Sequence, residues 1–330
     1  MYIMKVVMES EMAHNVETMA YAGAVPWHGL GVNVPADLTP EQMLEAAGLN
    51  WEVQKFPSFA ILDENDPDSV IETGQSALVR LSDKKMLDVV SDDWNPVQNA
   101  EAFEFFNEFV MAGDMEMHTA GSLRDGQIVW GLAKIKESFE LFKGDQIDSY
   151  LLFSNFHKYG FSTDVRFTPI RVVCNNTLTL SLNSKVERMV KISHRKQFDA
   201  ANVKDMLGIA TDKLVKYKEM AQFLGSKKAK HESIVEYFER IFPLASATAE
   251  DKAEGKRSKN ADLAMGILNT QPGAEYAEGS WWQPFNAVTF MTDHLVGRSP
   301  DTRLQSAWYG YNKGLKTKAL ELAVEMAEAA

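Results

Sequence analysis

The feature that most constrains this chain is residues 166–182, RFTPIRVVCNNTLTLSL, its longest β-prone stretch of low charge. Apolar and β-branched residues fill the stretch, and only Pro169 and the Asn175-Asn176 pair interrupt them. A continuous apolar run of this length is typical of a strand buried on both faces, or of two strands joined by a sharp turn. We therefore expect these residues to lie inside a sheet.

Local patterns before this stretch predict a mainly antiparallel sheet with one or two packed helices. Residues 39–42 form a capping box that begins a helix, and Gly48 ends it. Asn99 caps an amphipathic helix that stops at Gly113, and the Asp-Gly turn at Arg124–Gly126 joins two strands. The predicted fold class is α+β. The predicted strands lie at 51–56, 58–62, 77–81, 86–90, 115–123, 127–135 and 150–156.

From residue 198 onward the apolar residues recur at helical spacing. Since 330 residues exceed what one hydrophobic core usually holds, two domains are expected. We predict an N-terminal arm over 1–36, an α+β sheet domain over 37–197 and a helical domain over 198–330. The helical patterns lie at 203–224, 233–242, 261–268, 282–295 and 302–329.

The net charge of −12 is distributed unevenly along the chain. Residues 1–150 hold 9 Lys and Arg against 26 Asp and Glu, whereas residues 151–230, here called the basic segment, hold 15 against 6. A basic segment inside an acidic protein indicates a phosphate-binding surface. The alternative is that the acidic and basic parts neutralise each other across a domain or subunit contact.

Cysteine usage and hydropathy indicate a cytoplasmic protein. The single cysteine, Cys174, makes no internal disulfide, which is typical of a reducing compartment. No apolar run approaches the roughly 18 residues of a membrane span, and the first 15 residues lack the long apolar region of a signal peptide. We expect no membrane association.

Enzyme motifs are not recognisable. The chain has no glycine-rich phosphate loop, no G-x-S-x-G elbow and no H-E-x-x-H pair. The acidic cluster at 63–68 lacks the glycine and the closing glutamate of a calcium loop. We expect no cofactor and no metal. A catalytic site around the Asp92-Asp93 pair or His28 stays open, and it would need a deep polar pocket.

The strongest functional signal combines cations with aromatic residues. Cations bind phosphates, and aromatic faces stack on bases without requiring a particular sequence. The alternatives are that the cations form a solvated sheet edge and that the aromatics are core. The candidate nucleic-acid-binding residues are Phe156, Lys158, Tyr159, Arg166, Arg171, Lys185, Arg188, Lys191, Arg195 and Lys196.

Five motifs resemble a known family: VPWHGLG at 25–31, SDDWNPVQNAEAFEF at 91–105, TPIRVVCNNTL at 168–178, WWQPFNAV at 281–288 and LQSAWYG at 304–310. The chain resembles, over about residues 13–325, the phage- and plasmid-borne proteins grouped as domain of unknown function 932. The resemblance implies a mobile-element origin and host cytoplasm, and it carries over no catalytic residues. Its usual start matches Met12–Asn15, so we expect residues 1–11 to be an extension or the product of an upstream start.

Three hypotheses follow for function. The leading one is a phage or plasmid protein that binds single-stranded DNA during replication or recombination, as a homo-oligomer of the annealing type. The second is a protein-interaction module that acts on a host factor, such as an inhibitor of host defence, without binding nucleic acid. The third is an enzyme whose motif is too diffuse to recognise.

Overall fold

The computed structural model describes residues 16–23, 29–171, 176–177, 190–194, 210–245, 254–297 and 300–329, and within them the fold is α+β, as the sequence predicts. The strands are β1 Val16–Ala22, β2 Val32–Val34, β3 Val53–Asp63, β4 Asp66–Arg80, β5 Lys85–Ser91, β6 Met115–Leu123, β7 Ile128–Phe142, β8 Asp145–Phe156, β9 Thr163–Arg171, β10 Asn176–Thr177 and β11 Val190–Ile192. The helices are α1 Pro40–Ala46, α2 Asn99–Glu104, α3 Asn107–Met111, α4 Ala210–Ser226, α5 His231–Ile241, α6 Lys259–Ile267, α7 Trp282–Phe290, α8 Pro300–Tyr309 and α9 Tyr311–Glu328.

The strands form two sheets. The larger has the order β10-β9-β8-β7-β6-β1-β2, with β11 also pairing with β9, and the smaller has the order β3-β4-β5. The recorded pairs are antiparallel except β1 with β2, which is parallel. The predicted hairpin between β6 and β7 is confirmed. Its turn places Arg124, Asp125 and Gly126 at φ values of 51°, 57° and 89°, which Asp-Gly sequences favour.

Two predicted helices differ in how far they agree with the structure. The capping box at Thr39 is confirmed, because Thr39 accepts a hydrogen bond from the Gln42 backbone and Gln42 accepts one in return. The helix predicted from Asn99 to Gly113 is instead two short helices, α2 and α3. Phe105 and Phe106 lie at their junction and are fully buried, so core packing interrupts the helix.

Within residues 1–36, the described part of the chain begins with a strand. Val16–Ala22 is a buried strand, β1, inside the larger sheet. It pairs with β6, about 100 residues further along the chain, with Ala20 opposite Ala120. Gly121 of β6 faces the Trp130 ring and the Thr18 backbone at close range. Trp27 and His28 of the VPWHGLG motif lie outside the described residues.

Residues 166–182, which the sequence places in a sheet, are described only in part. Residues up to Arg171 belong to β9, and Asn176–Thr177 form β10, which pairs back onto β9 with Asn176 opposite Arg171. The remainder, including Cys174, lies outside the described residues.

Contacts divide the chain into two compact units. The first comprises the described residues of Met1–Lys136, Tyr150–Arg166 and Arg188–Leu207, and the second those of Glu137–Ser149, Phe167–Glu187 and Gly208–Ala330. Strands β7, β8 and β9 contribute residues to both. The predicted division into arm, sheet domain and helical domain stays a prediction.

The second unit has a helical core around α7, whose residues from Trp282 to Thr289 are all buried. A π-helical turn, Met291–Leu295, continues α7, and its Asp293 forms a buried ion pair of 2.6 Å with Lys316 of α9. The helix predicted over 302–329 is divided at Gly310 into α8 and α9.

The close approach at Gly121 gives a stability prediction. An added Cβ at Gly121 would lie 2.5 Å from the Thr18 carbonyl oxygen, a backbone atom that cannot rotate away. Gly121→Ala should therefore lower the free energy of unfolding by about 1–3 kcal/mol, measured by urea denaturation.

Gly314→Ala is the matched control, because a Cβ there meets nothing within 4 Å in the interior of α9. It should leave stability unchanged or raise it by up to about 1 kcal/mol. Equal effects of the two substitutions would contradict the packing described between β1, β6 and β7.

Candidate nucleic-acid interface

An exposed turn, residues 157–162, carries the cation and the aromatic rings that the sequence points to. It joins β8 to β9, and we call it the β8–β9 turn. The Tyr159 and Phe161 side chains are 51% and 48% exposed. The Lys158 ammonium lies 5.9 Å from the centroid of the Phe161 ring, within cation–π range. One positive charge therefore accompanies two aromatic faces that water reaches.

Hydrogen bonds to neighbouring elements fix the backbone of this turn. The Tyr159 amide donates to the Asp88 carboxylate of β5 at 2.9 Å, and the His157 amide donates to the Gln127 carbonyl at 2.9 Å. Gln127 in turn donates from its side chain to the Leu87 carbonyl at 2.6 Å. Gly160 has φ of 81°, a conformation that L side chains rarely adopt. The rings of the turn are thus carried on a defined backbone.

Phe156, a predicted base-stacking residue, is buried and does not lie at the surface with Tyr159 and Phe161. Its side chain is only 3% exposed, and its ring stacks on Phe161 with centroids 5.2 Å apart and an interplanar angle of 18°. A base cannot reach a ring in this position. Phe156 instead supports Phe161 from the core, and Phe161, absent from the predicted set of site residues, takes the exposed position.

A buried polar network lies directly behind the turn. His157 Nε2 and the Asn99 side-chain oxygen are 2.9 Å apart, and Asn99 donates from its amide to the Leu49 carbonyl. Asn155 donates to the Val97 carbonyl at 2.7 Å and accepts from Thr163 at 3.1 Å. These four side chains are at most 1% exposed. Most of their polar atoms pair with one another or with nearby backbone groups, which compensates for lost hydration. His157 Nδ1 is buried without a hydrogen-bond partner among the described residues.

His194 extends the same network from the end of β11. Its ring stacks on Trp94 at 4.2 Å, its Nδ1 lies 3.0 Å from the Asn95 carbonyl oxygen, and its own carbonyl accepts from the Asn95 amide. Its Nε2 lies 3.5 Å from the Thr163 hydroxyl. The Asp-Trp-Asn-Pro motif at 93–96 is therefore a packing partner for this histidine.

Both histidines are held uncharged at neutral pH. Burial lowers the pKa of His157 to about 3, and the positive charge of nearby Arg80 acts in the same direction. Burial also lowers the pKa of His194, against a hydrogen bond to Asn95 that raises it. Neutral rings are what the network requires, since an imidazolium here would be a buried charge without a counterion.

Arg166, another predicted phosphate contact, is already paired. Its guanidinium donates two hydrogen bonds to Asp164, at 3.1 Å and 2.7 Å, and its side chain is 14% exposed. The Asp164 carboxylate neutralises the charge that a phosphate would need. We therefore do not count Arg166 among the phosphate contacts.

The structure describes only part of the remaining predicted phosphate-binding residues. Arg171 belongs to β9 and Lys191 to β11, where Lys191 lies opposite Asp164, and only their backbones are described. Lys185, Arg188, Arg195 and Lys196 lie outside the described residues. The structure thus brings together Lys158, Tyr159 and Phe156, with Phe156 buried, and adds Phe161.

The rival catalytic residues have structural partners. Asp92 accepts from the Ser76 hydroxyl at 2.8 Å, and Asp93 accepts from the Ser91 hydroxyl at the turn after β5. Within the described ranges, no group of three or more His, Cys, Asp or Glu side chains is arranged to hold a metal ion. Among the described helices, none has the length and apolarity to cross a membrane.

The chain belongs to the family described as Domain of unknown function (DUF932), whose family model matches residues 86–308. The match includes the Asp-Trp-Asn-Pro motif, the β8–β9 turn and α7. No curated protein matches the chain, and no solved structure does. The fold and the β8–β9 turn therefore supply the functional argument.

The lowered pKa of His157 predicts a pH dependence of stability. Between the unfolded pKa of about 6.5 and the folded value of about 3, the unfolded state binds one more proton. Acidification through this window therefore destabilises the protein, and His157 contributes up to about 1.4 kcal/mol per pH unit. His157→Gln should reduce the slope of unfolding free energy against pH between about pH 5.5 and 4 by that amount.

Urea denaturation at several pH values measures this slope. His231→Gln is the control, because His231 is exposed at the start of α5 and has no part in the network. A slope unchanged in His157→Gln would show that His157 is not buried as described.

Proposed function

We propose that this protein binds single-stranded DNA through the β8–β9 turn. The observation that carries the proposal is that one short turn with a fixed backbone exposes two aromatic rings, Tyr159 and Phe161, and places the Lys158 ammonium within cation–π range of Phe161. Flat rings that face water at a rigid site suit stacking on unpaired bases, because every base offers a π-face. The adjacent cation suits the phosphate between two stacked bases.

Single-stranded DNA is favoured over duplex because of what stacking requires. Bases inside a duplex already stack on their neighbours, so an aromatic side chain reaches them only after unstacking, at a cost of a few kcal/mol. In a single strand the bases are available. Recognition by stacking also tolerates any sequence, which suits a protein that coats or pairs strands.

The basic segment supplies the phosphate contacts in this proposal. It begins at Leu151, within β8, includes the β8–β9 turn and carries a surplus of nine positive charges. Each phosphate that a cation neutralises releases counterions, so affinity depends steeply on salt. The proposed contacts are Lys158, Arg171, Lys185, Arg188, Lys191, Arg195 and Lys196.

The biological setting in this proposal is DNA replication or recombination of a phage or plasmid in the host cytoplasm. Support for the setting comes from the family resemblance and from the uneven charge. An annealing-type oligomer, in which several copies hold one strand, fits a site that contacts few bases per chain. A DNA strand that binds several copies at once would have a higher overall affinity than the modest affinity of each β8–β9 turn.

Replacement of the two exposed rings tests the proposal. Stacking on one aromatic side chain contributes about 1–3 kcal/mol, so Tyr159→Ala and Phe161→Ala should each weaken binding roughly 5- to 150-fold. Fluorescence anisotropy of a labelled oligothymidine at several salt concentrations measures the affinity. The slope against salt should stay as in the parent, since the phosphate contacts remain.

Two controls separate stacking from charge. Tyr311→Ala removes a 74% exposed tyrosine from α9 and should leave the affinity unchanged. The double substitution Arg188→Glu with Lys191→Glu should weaken binding to all sequences alike and make the salt slope shallower. Binding that is independent of salt, or full affinity in the ring variants, would contradict the proposal.

The interaction-module hypothesis predicts the opposite result for DNA binding. If the acidic first 150 residues dock on a host protein and the basic segment serves only solubility, the parent has no measurable affinity for single-stranded DNA at physiological salt. The same anisotropy titration therefore decides between the two functions.

A further inference from the structure

The β3–β4 hairpin extends beyond its sheet. Over Ser58–Gly74, here called the outer hairpin, the strands pair with each other in a defined register, with Phe59 opposite Glu72 and Ile61 opposite Val70. The Ser58 hydroxyl contacts the Thr73 hydroxyl at 2.5 Å across the strands. At the tip, Asp63 accepts from the Asn65 amide at 2.9 Å. The outer hairpin is thus a formed element.

The outer hairpin has no third strand. β5 pairs with β4 from Gln75 to Arg80 and stops there, and no described strand pairs with the outer part of β3 or β4. A two-stranded ribbon alone is marginal in water, and its unpaired edges can bind another chain. A partner that covers the ribbon would stabilise it and would also occupy its unpaired edges.

Apolar side chains of the outer hairpin face water in the folded chain. Phe59, Ile61 and Val70 share one face of the ribbon, because Ile61 pairs with Val70 and side chains alternate along a strand. An exposed apolar group of this kind marks an interaction surface, since burial of such side chains is the main driving force of association. The exposed fractions are 56% for Phe59, 64% for Ile61, 63% for Leu62, 43% for Val70 and 52% for Ile71.

The charge of the outer hairpin has a single sign. It holds five carboxylates, and no Lys or Arg occurs from Phe56 to Val79. Lysine is the residue that most often protects an exposed strand edge from other strands. An apolar ribbon with only negative charge is therefore complementary to a partner that is apolar and basic.

We propose that the outer hairpin binds a second copy of this chain, on the basic segment of that copy. Within the basic segment, residues 185–196 contain five Lys and Arg against one Glu, interleaved with Val186, Met189, Val190 and Ile192. Residues 185–196 are therefore apolar and basic, which is complementary to the apolar and acidic outer hairpin. Lys158 and Arg171, two of the proposed phosphate contacts, lie in the basic segment outside residues 185–196 and remain for phosphate.

Charge opposes a symmetric dimer in which the same surface of both copies forms the contact. Two outer hairpins facing each other would bring five carboxylates against five, which like-charge repulsion opposes. The contact therefore joins different surfaces of the two copies. Such a head-to-tail contact repeats from copy to copy and produces a ring or a filament. The proposal concerns assembly and is tested without nucleic acid, so it stands or falls separately from DNA binding.

A charge exchange between two variants of the full chain tests the proposal. The first variant carries Asp63→Lys, Glu64→Lys and Asp66→Lys in the outer hairpin. The second carries Lys185→Glu, Arg188→Glu and Lys191→Glu in the basic segment. Alone, each variant faces like charge at every contact and should assemble at least about tenfold more weakly than the parent. Mixed one to one, the reversed surfaces match again.

Sedimentation velocity at low and high salt measures the masses. The proposal expects a parent larger than a monomer whose assembly weakens with salt, two monomeric variants, and restored assembly in the mixture. Restoration also shows that both variants are folded. A parent that stays monomeric at micromolar concentration would overturn the proposal and assign the outer hairpin to a different, basic partner protein.

A second substitution tests the apolar part of the contact. Phe59→Ala with Ile61→Ala keeps every charge but removes two exposed side chains, and it should raise the dissociation constant of assembly at least about tenfold. Tyr311→Ala, which removes an exposed ring from α9, should not change it. Assembly of the double variant at parental strength, or an unassembled mixture of folded charge variants, would overturn the proposal.

Discussion

The hydrogen bond between His157 and Asn99, made without access to water, is the interaction on which the candidate interface depends. It anchors the end of β8 to the start of α2, 58 residues away. Because the two histidines of the network are neutral, the polar core behind the β8–β9 turn contains no unpaired charge. The network and the hydrogen bonds of the turn's backbone together position Tyr159 and Phe161 half-exposed at the surface.

The charges of this protein are either paired within the fold or segregated by sign along the chain. Some charges are structural: Arg80 is bound by both Glu17 and Asp83, and the pKa of Asp83 falls to about 2 because of its hydrogen bonds to Arg80. Arg166 is likewise bound by Asp164. Other charges are segregated, acidic on the outer hairpin and basic over residues 151–230. Segregation of this kind favours contacts with other molecules, whereas paired charges hold the fold.

The sequence predicts what local chemistry controls. The Asp-Gly turn before Gln127, the helix that Thr39 caps and the α+β class all follow from short-range patterns, and all are confirmed. Strand β1 escapes prediction because its partner, β6, is about 100 residues away. For the site, composition finds Lys158 and Tyr159. It cannot decide which ring of Phe156 and Phe161 faces water, since strand register and the packing behind the turn decide this.

The most direct measurement compares two ligands that differ only in their bases. An oligothymidine and an abasic oligonucleotide of equal length carry the same phosphates, so only stacking distinguishes them. The account predicts that the parent binds oligothymidine at least about tenfold more tightly than the abasic strand, and that the variant lacking both Tyr159 and Phe161 rings binds the two equally. Equal affinity of the parent for both strands, or no affinity for either, would contradict it.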